Sequence, residues 1–283
     1  MNIKKVGVVG CGQMGGGIAQ VCAQSGYQVV VSEINDTLLN KGLAAINSFL
    51  TRSVEKGKMA QQDKDSTMSR IKGTTSTGDF GDCDLVIEAA IEKMEIKKKI
   101  FADLDQVCPK HALLATNTSC LSIIDMAMVT RRPSQVLGLH FMNPVPIMKL
   151  IEIVRTIAVS EETLQAGKDF GKKLGKTIVV AKDTPGFIVN YLLISYLNNA
   201  IRILDAGVAG KEDIDTGINL GLNHPMGPLT LADLIGLDTV LYITTAIYDE
   251  CKDPQYAPPT LLKQMVTAGW LGRKSGKGFY EYK

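Results

Sequence analysis

Two residues twelve positions apart carry the chain's sharpest chemical signal: His140, near the end of the β-type run 136–141 (VLGLHF), and Glu152, inside the apolar run 150–154 (LIEIV). A carboxylate in so apolar a strand is costly to bury unless it is paired. An imidazole is a fitting partner. A carboxylate on one ring nitrogen fixes the tautomer, orients the ring and stabilises the imidazolium. The other nitrogen is then free to act as general base toward an alcohol or general acid toward a ketone. Alone, His140 reads as a hydrogen-bonded core histidine and Glu152 as an edge-strand residue facing water; together they read as a catalytic pair. Two further polar residues divide more evenly. Asn190 shares a helical face with Phe187, Ile194 and Leu197, so its amide needs a partner: a substrate oxygen or a neighbouring helix. Ser119 either binds a substrate oxygen or caps the helix LSIIDMA that follows.

The pair lies downstream of a second device, the opening VGVVGCGQMGGGIAQ from residue 6 to residue 20. Gly10, Gly12 and Gly15 form G-x-G-x-x-G between a β-branched run (3–9) and a stretch of helical spacing that ends at Gly26. The first glycine permits the tight turn, the second lets a pyrophosphate approach the backbone, and the third lets helix pack on strand. Gln13 and Met14 then stand in the first helical turn, where free N–H groups and a positive dipole end face the phosphates. A second strand, 27–33 (YQVVVSE), closes with Glu33, 18 residues after Gly15. A carboxylate there accepts from both ribose hydroxyls and repels a 2′-phosphate, which selects NAD over NADP.

The intervening elements alternate. Residues 82–92 (DCDLVIEAAIE) read as a third strand, whose carboxyl end places Ala89, Ala90 and Glu92 beside the cofactor, because ligands in open α/β sheets bind at strand carboxyl ends. An amphipathic helix follows at 95–108. A fourth strand, 111–119, ends in the polar cluster Asn117-Thr118-Ser119. The fifth is 136–141, and 150–154 and 177–181 complete the set. Strand and helix alternating to about residue 181 imply an α/β, doubly wound Rossmann-type sheet. Residues 36–72 are too long for an ordinary crossover and suggest an extra pair of helices, capped by Asn35 or Asp36. The basic residues Arg52, Lys56 and Lys58 there meet either solvent or a phosphorylated ligand. From 183 onward the strand signal disappears: 183–207 reads as one long helix with proline in its first turn, followed by helices at 211–222 and 228–251. The expected domains are a cofactor domain, 1–183, and an all-helical domain, 184–283. The basic, glycine-rich tail 273–283 either folds back on the cofactor domain or frays.

Bulk properties narrow the class. The 283 residues are 45% hydrophobic, with 31 basic against 29 acidic side chains. Near-balanced charge argues against a nucleic-acid surface, and no apolar run reaches membrane-spanning length. The six cysteines include no Cys-x-x-Cys pair, so reduced thiols are the default; Cys120 reads as a small core residue. His111 and His224 lack ligand-type neighbours, so no metal site is expected. With no signal-peptide pattern at the start, a cytoplasmic protein is expected.

With these motifs in order, the chain resembles the 3-hydroxyacyl-CoA dehydrogenase family over its whole length, and within it the short, single-activity 3-hydroxybutyryl-CoA enzymes of bacteria. The resemblance rests on GCGQMGGGIAQ, ATNTSCLSI, GLHFMNPVPIMKLIEIV, DTPGFIVN and KSGKGFYEY. It implies that His140 is the catalytic histidine and Glu152 its orienting glutamate, with Ser119 and Asn190 contacting the substrate near its reacting oxygens. It further implies NAD(H) contacts at Ala89, Glu92, Lys97, Ser119, Asn143 and Lys274, and a CoA-contacting arm at 36–72 with Lys56 its best candidate. The implied reaction interconverts acetoacetyl-CoA and (S)-3-hydroxybutyryl-CoA, as in butyrate and fatty-acid metabolism, and the implied assembly is a homodimer or higher homo-oligomer through the helical domain. Two rivals remain open. One is another NAD-dependent β-hydroxyacid dehydrogenase, which would use a lysine base; the other is a non-catalytic NAD-binding protein.

Overall fold

The computed structural model describes residues 3–282; Met1, Asn2 and Lys283, the outermost residues of the expected domains, lie outside the described residues. The chain divides into two compact units, 1–183 and 184–283.

The first unit is an eight-stranded sheet: β1 (Lys5–Val9), β2 (Gln28–Ser32), β3 (Ile71–Thr74), β4 (Leu85–Glu88), β5 (Leu113–Thr116), β6 (Val136–Phe141), β7 (Leu150–Arg155) and β8 (Thr177–Lys182). Their order is β3-β2-β1-β4-β5-β6-β7-β8. The first six run parallel. β7 turns back antiparallel to β6 and pairs parallel with β8. The order reverses at β1, between β2 and β4, which is where a ligand crevice opens in such sheets. Runs such as Val29, Val30 and Val31, or Leu85, Val86 and Ile87, are fully buried. Apolar side chains on both faces are what a sheet covered by helices on each side requires.

Helix α1 (Gln13–Gln24) follows β1 directly. The insertion forms two helices, α2 (Asp36–Glu55) and α3 (Gln61–Ser69), and the Asn35 side chain caps α2 by accepting from Leu38 N. The expected insertion 36–72 runs two residues too far. Its last residues begin β3, a strand that the sequence pattern does not announce. IKGT is four residues long and half-exposed at the sheet edge, with a glycine in it, so it shows no apolar run. The Gly73 position faces Leu39 and Leu43 of α2, which close over the edge. The strands expected at 82–92 and 111–119 are shorter than their patterns suggest. Their polar flanks become the loops that carry the site. Helices α4 (Met94–Val107), α5 (Ile123–Ala127) and α6 (Glu161–Lys173) complete the unit.

The second unit is helical: α7 (Val189–Asp205), α8 (Lys211–Gly221), α9 (Pro228–Ile235), α10 (Leu237–Cys251) and α11 (Thr260–Thr267). Its core gathers Ile194, Leu197, Leu229, Ala232, Val240 and Ile247 around the buried ring of Tyr256. Two sequence expectations fail here. The long helix does not begin at 183. The Asp183 N–H extends the sheet by donating to Arg155, its carboxylate accepts from Ile123 N and Ile124 N, and Gly186 (φ 79°) and Phe187 (φ 50°) then turn the chain. The expected helix 228–251 is two helices bent by 96° at Gly236, whose φ of 101° no helix accommodates. Among the described residues no single helix is long and apolar enough to cross a membrane.

The tail neither frays nor lacks a partner in its own unit. Asp233, buried in α9, accepts from Phe279 N, Tyr280 N and the Tyr282 hydroxyl, at 2.9–3.0 Å. Asp215 of α8, also buried, accepts from Leu229 N, Thr230 N and the Tyr280 hydroxyl. Lys211 donates to Phe279 O. In sequence the tail shows glycines, lysines and aromatics; the two acids that anchor it lie 46 and 65 residues upstream and give no local signal.

Candidate active site

Antiparallel pairing of β6 and β7 sets His140 directly opposite Glu152. Cross-strand neighbours project from the same face of a sheet, so the twelve-residue spacing becomes side-chain contact: His140 Nδ1 lies 2.7 Å from Glu152 Oε2. Glu152 is fully buried and His140 nearly so. An ionised carboxylate only accepts, so Nδ1 carries a proton and Nε2 is the nitrogen that can do chemistry. Nε2 lies 3.1 Å from Ser119 Oγ. Ser119 sits in the loop after β5, and the helix-capping alternative for it fails: Ser122 caps α5 by accepting from Asp125 N. Asn117 steadies the same corner, its Oδ1 accepting from Phe141 N at 2.9 Å.

A second polar cluster borders the first. Glu92, in the loop after β4, accepts from Ser119 N (2.9 Å) and the Thr118 hydroxyl. Lys97 of α4 joins Glu92 (3.1 Å) to Glu88 (2.6 Å), the last residue of β4. Glu88 is wholly buried and also accepts from Ala90 N (2.7 Å) and the Thr116 hydroxyl (2.6 Å). Lys97, expected as a cofactor contact, is only 1% exposed. Its ammonium contacts two carboxylates and, more loosely, Ala90 O. Sequence reasoning missed Glu88, although the logic that singles out Glu152, a carboxylate in an apolar strand, applies equally to LVIE.

The glycine turn is shaped to receive phosphates. Gly10 has a φ of 95°, and a β-carbon there would lie 2.8 Å from Ala89 O; one on Gly15 would lie 2.0 Å from Gly10 O. At Gly12 the same position is open space. The first turn of α1, with Gln13, Met14 and Gly15, has no side-chain cap and no acid, leaving its N–H groups for an anion. Glu33 Oε1 accepts from Cys11 N at 2.8 Å, which holds the carboxylate against the turn. Burial, and then the Glu33 charge, push the Cys11 thiol up to about 11, so it stays protonated beside the glycine turn. Gln13 Nε2 donates to Asn143 Oδ1 at 3.1 Å, joining two expected cofactor residues from distant stretches.

These residues open onto a cavity of about 540 Å³ lined by Gly12, Gln13, Glu33, Lys41, Phe49 and Arg52, among others. Its size and its pairing of a carboxylate with free helix N–H groups fit a dinucleotide. Lys41 and Arg52 of α2 bring cations to the same cavity, whereas Lys56 caps the exposed end of α2 and is not among its lining residues. Lys41 is inconspicuous in sequence because it is one lysine on a polar helical face. In the second unit, Asn190 is the second residue of α7 and half-buried, less core-facing than its spacing suggests. Lys274 ion-pairs with Asp238.

Comparison with known proteins shows the family. Residues 5–184 match the family model described as 3-hydroxyacyl-CoA dehydrogenase, NAD binding domain, and residues 186–282 match the corresponding C-terminal domain. A 3-hydroxybutyryl-CoA dehydrogenase of Bradyrhizobium diazoefficiens is 48% identical over 99% of this chain and 96% of its own length. Among solved structures, the (S)-3-hydroxybutyryl-CoA dehydrogenase PaaH1 of Ralstonia eutropha is 45% identical with a TM-score of 0.96, and FadB2 of Mycobacterium tuberculosis is 46% identical with a TM-score of 0.97; each covers the whole of both chains. The chain belongs to the 3-hydroxyacyl-CoA dehydrogenase family, whose members are NAD-dependent oxidoreductases.

Proposed function

We propose that this member of the family interconverts acetoacetyl-CoA and (S)-3-hydroxybutyryl-CoA, with His140 as the acid/base and Glu152 as the group that orients it. The observation that carries the reading is the buried His140–Glu152 contact with Ser119 on the opposite ring nitrogen. A bound nicotinamide supplies the hydride chemistry that the protein's own side chains lack. In the reducing direction His140 Nε2, as imidazolium, gives its proton to the C3 oxygen of the substrate, and Glu152 offsets the charge of the ring while it waits. In the oxidising direction Nε2 takes the hydroxyl proton. Ser119 Oγ, within hydrogen-bond range of Nε2, fixes where that oxygen must sit. The resemblance gives Asn190 a substrate oxygen as well.

Gly10, Gly12 and the first turn of α1 would hold the pyrophosphate, Glu33 the adenosine ribose, and Ala89, Glu92 and Asn143 the remainder of the cofactor. Lys41 and Arg52 stand where a phosphorylated substrate would need cations, and α2–α3 is the arm that would contact CoA. The imidazole, with Glu152 on Nδ1 and Ser119 on Nε2, argues against a lysine-base dehydrogenase, and an intact pair argues against a non-catalytic NAD-binding protein. Exposed Leu192, Leu220 and Leu222 on the helical unit support assembly of copies through that unit, and a cytoplasmic location is consistent with the reaction's cofactor. Loss of NADH absorbance on adding acetoacetyl-CoA tests the reading. Turnover with this substrate and preference for NADH over NADPH are expected; no oxidation above background would overturn it.

A further inference from the structure

Glu88 has no part in the acid/base chemistry, yet it is as completely buried as Glu152. It lies at the carboxyl end of β4, which neighbours β1 at the point where strand order reverses. Three donors converge on it: Lys97 Nζ, Ala90 N and the Thr116 hydroxyl. Lys97 passes the contact to Glu92, and Glu92 reaches Ser119 N, whose hydroxyl meets His140. Glu88, Lys97 and Glu92 hold two negative charges and one positive charge, a net of one negative. Glu88 and Lys97 are no more than 1% exposed, so water screens these two charges poorly, while the Glu92 side chain is 25% exposed.

We propose that Glu88 is a positioning residue that sets the charge of the wall facing the nicotinamide, and so biases the site between oxidised and reduced cofactor. The inference rests on the dehydrogenase reading above. A hydride passing between the nicotinamide and the substrate carbon requires that ring to lie beside the place where Nε2 meets the substrate oxygen. Glu92 hydrogen-bonds the backbone of Ser119, the residue that marks that place. The oxidised ring carries one positive charge, and the reduced ring, after gaining a hydride, carries none. A wall with a net negative charge therefore favours the oxidised form, and the fixed, buried Glu88 supplies that excess while holding Lys97 against Glu92. Ala90 N shares Oε1 with Lys97 and the Thr116 hydroxyl donates to Oε2, so both Glu88 oxygens are engaged, which keeps the carboxylate in one orientation.

The test is the ratio of dissociation constants for NAD⁺ and NADH, measured by direct NADH fluorescence titration and by NAD⁺ competition, without substrate. Glu88→Gln removes one negative charge at nearly constant shape. It should raise the NAD⁺/NADH ratio of dissociation constants on the order of tenfold, the size expected for a unit charge acting over a few ångströms beyond contact in a partly desolvated wall. Lys97→Met should move the ratio the opposite way. The double variant, which replaces a buried ion pair by neutral groups of similar volume and is the more tolerant of folding, should return the ratio to the parent value even if both affinities fall. Damage to packing would weaken both cofactors together and would not be undone by the second substitution. An unchanged ratio in Glu88→Gln, or a double variant as shifted as the single, overturns the proposal while the dehydrogenase reading stands; should Glu88→Gln fail to fold, a Lys97→Met ratio equal to the parent's overturns it. A parent protein that binds neither cofactor overturns the reading itself.

Discussion

Glu152 and Asp233 are both almost completely buried carboxylates, one in each unit, and each has its desolvation offset in a different way. Asp233 accepts from two backbone N–H groups and a tyrosine hydroxyl, donors that keep their protons near neutral pH. Glu152 faces the Nδ1 of an imidazole, a ring whose two nitrogens can each carry a proton. Fixed dipoles around a carboxylate make a clamp. An imidazole partner whose other nitrogen meets a serine hydroxyl is the arrangement the proposed proton transfer needs. Burial alone does not separate these roles; the chemistry of the partner does.

If the distinction holds, Glu152→Gln should act on rate and leave folding largely intact. An amide can donate to Nδ1 and trap the tautomer with the proton on Nε2, and it no longer stabilises the imidazolium. Turnover should fall about 10²–10⁴-fold, with the thermal midpoint near the parent's; a large drop in the midpoint with turnover per folded molecule unchanged would place Glu152 among the clamps. Asp233→Asn should do the reverse. Each buried donor left without a good acceptor costs about 1–3 kcal/mol, so the midpoint should drop by several degrees and the tail should become open to proteolysis, read by limited digestion. Full stability in Asp233→Asn would remove the clamp from the comparison.

A smaller effect concerns alkaline pH. Burial, and then the hydrogen bond to Asp233, push the Tyr282 hydroxyl up to about 12 from the usual 10.0. A proton held more tightly in the folded state contributes stability that is complete below pH 10 and is lost as pH rises through about 12. Tyr282→Phe should therefore lower stability by about 1 kcal/mol near neutral pH and flatten its decline between pH 10 and 12, followed by denaturant titration across that range. A decline as steep as the parent's would assign the alkaline sensitivity to another group.

Much of the first unit is legible in sequence because its signals are local. The glycines of the β1–α1 turn, the acid after β2, and the apolar runs of β6 and β7 each announce themselves within a few residues. What the sequence leaves out is set by distance or by sharing. β3 is a strand only because β2 offers it an edge. Asp183 opens the stretch read as a long helix, but its carboxylate caps α5, 60 residues upstream, so α7 starts later than its proline suggests. Residues 228–251 read as one helix, whereas the backbone angle at Gly236 breaks the chain into α9 and α10. Lys97 reads as a ligand contact because it is a lysine in the right motif; its ion pairs with Glu88 and Glu92 give no local signal. The antiparallel register that turns a spacing of twelve into a hydrogen bond is likewise a property of the sheet.

The catalytic role of the His140–Glu152 pair is the central claim, and the direct measurement is pre-steady-state NADH oxidation by His140→Gln with saturating acetoacetyl-CoA, alongside an NADH binding titration on the same sample. The expected result is oxidation slowed by about 10²–10⁴-fold with NADH affinity within a few-fold of the parent. Oxidation at the parent rate, or loss of NADH binding in a folded variant, would contradict it.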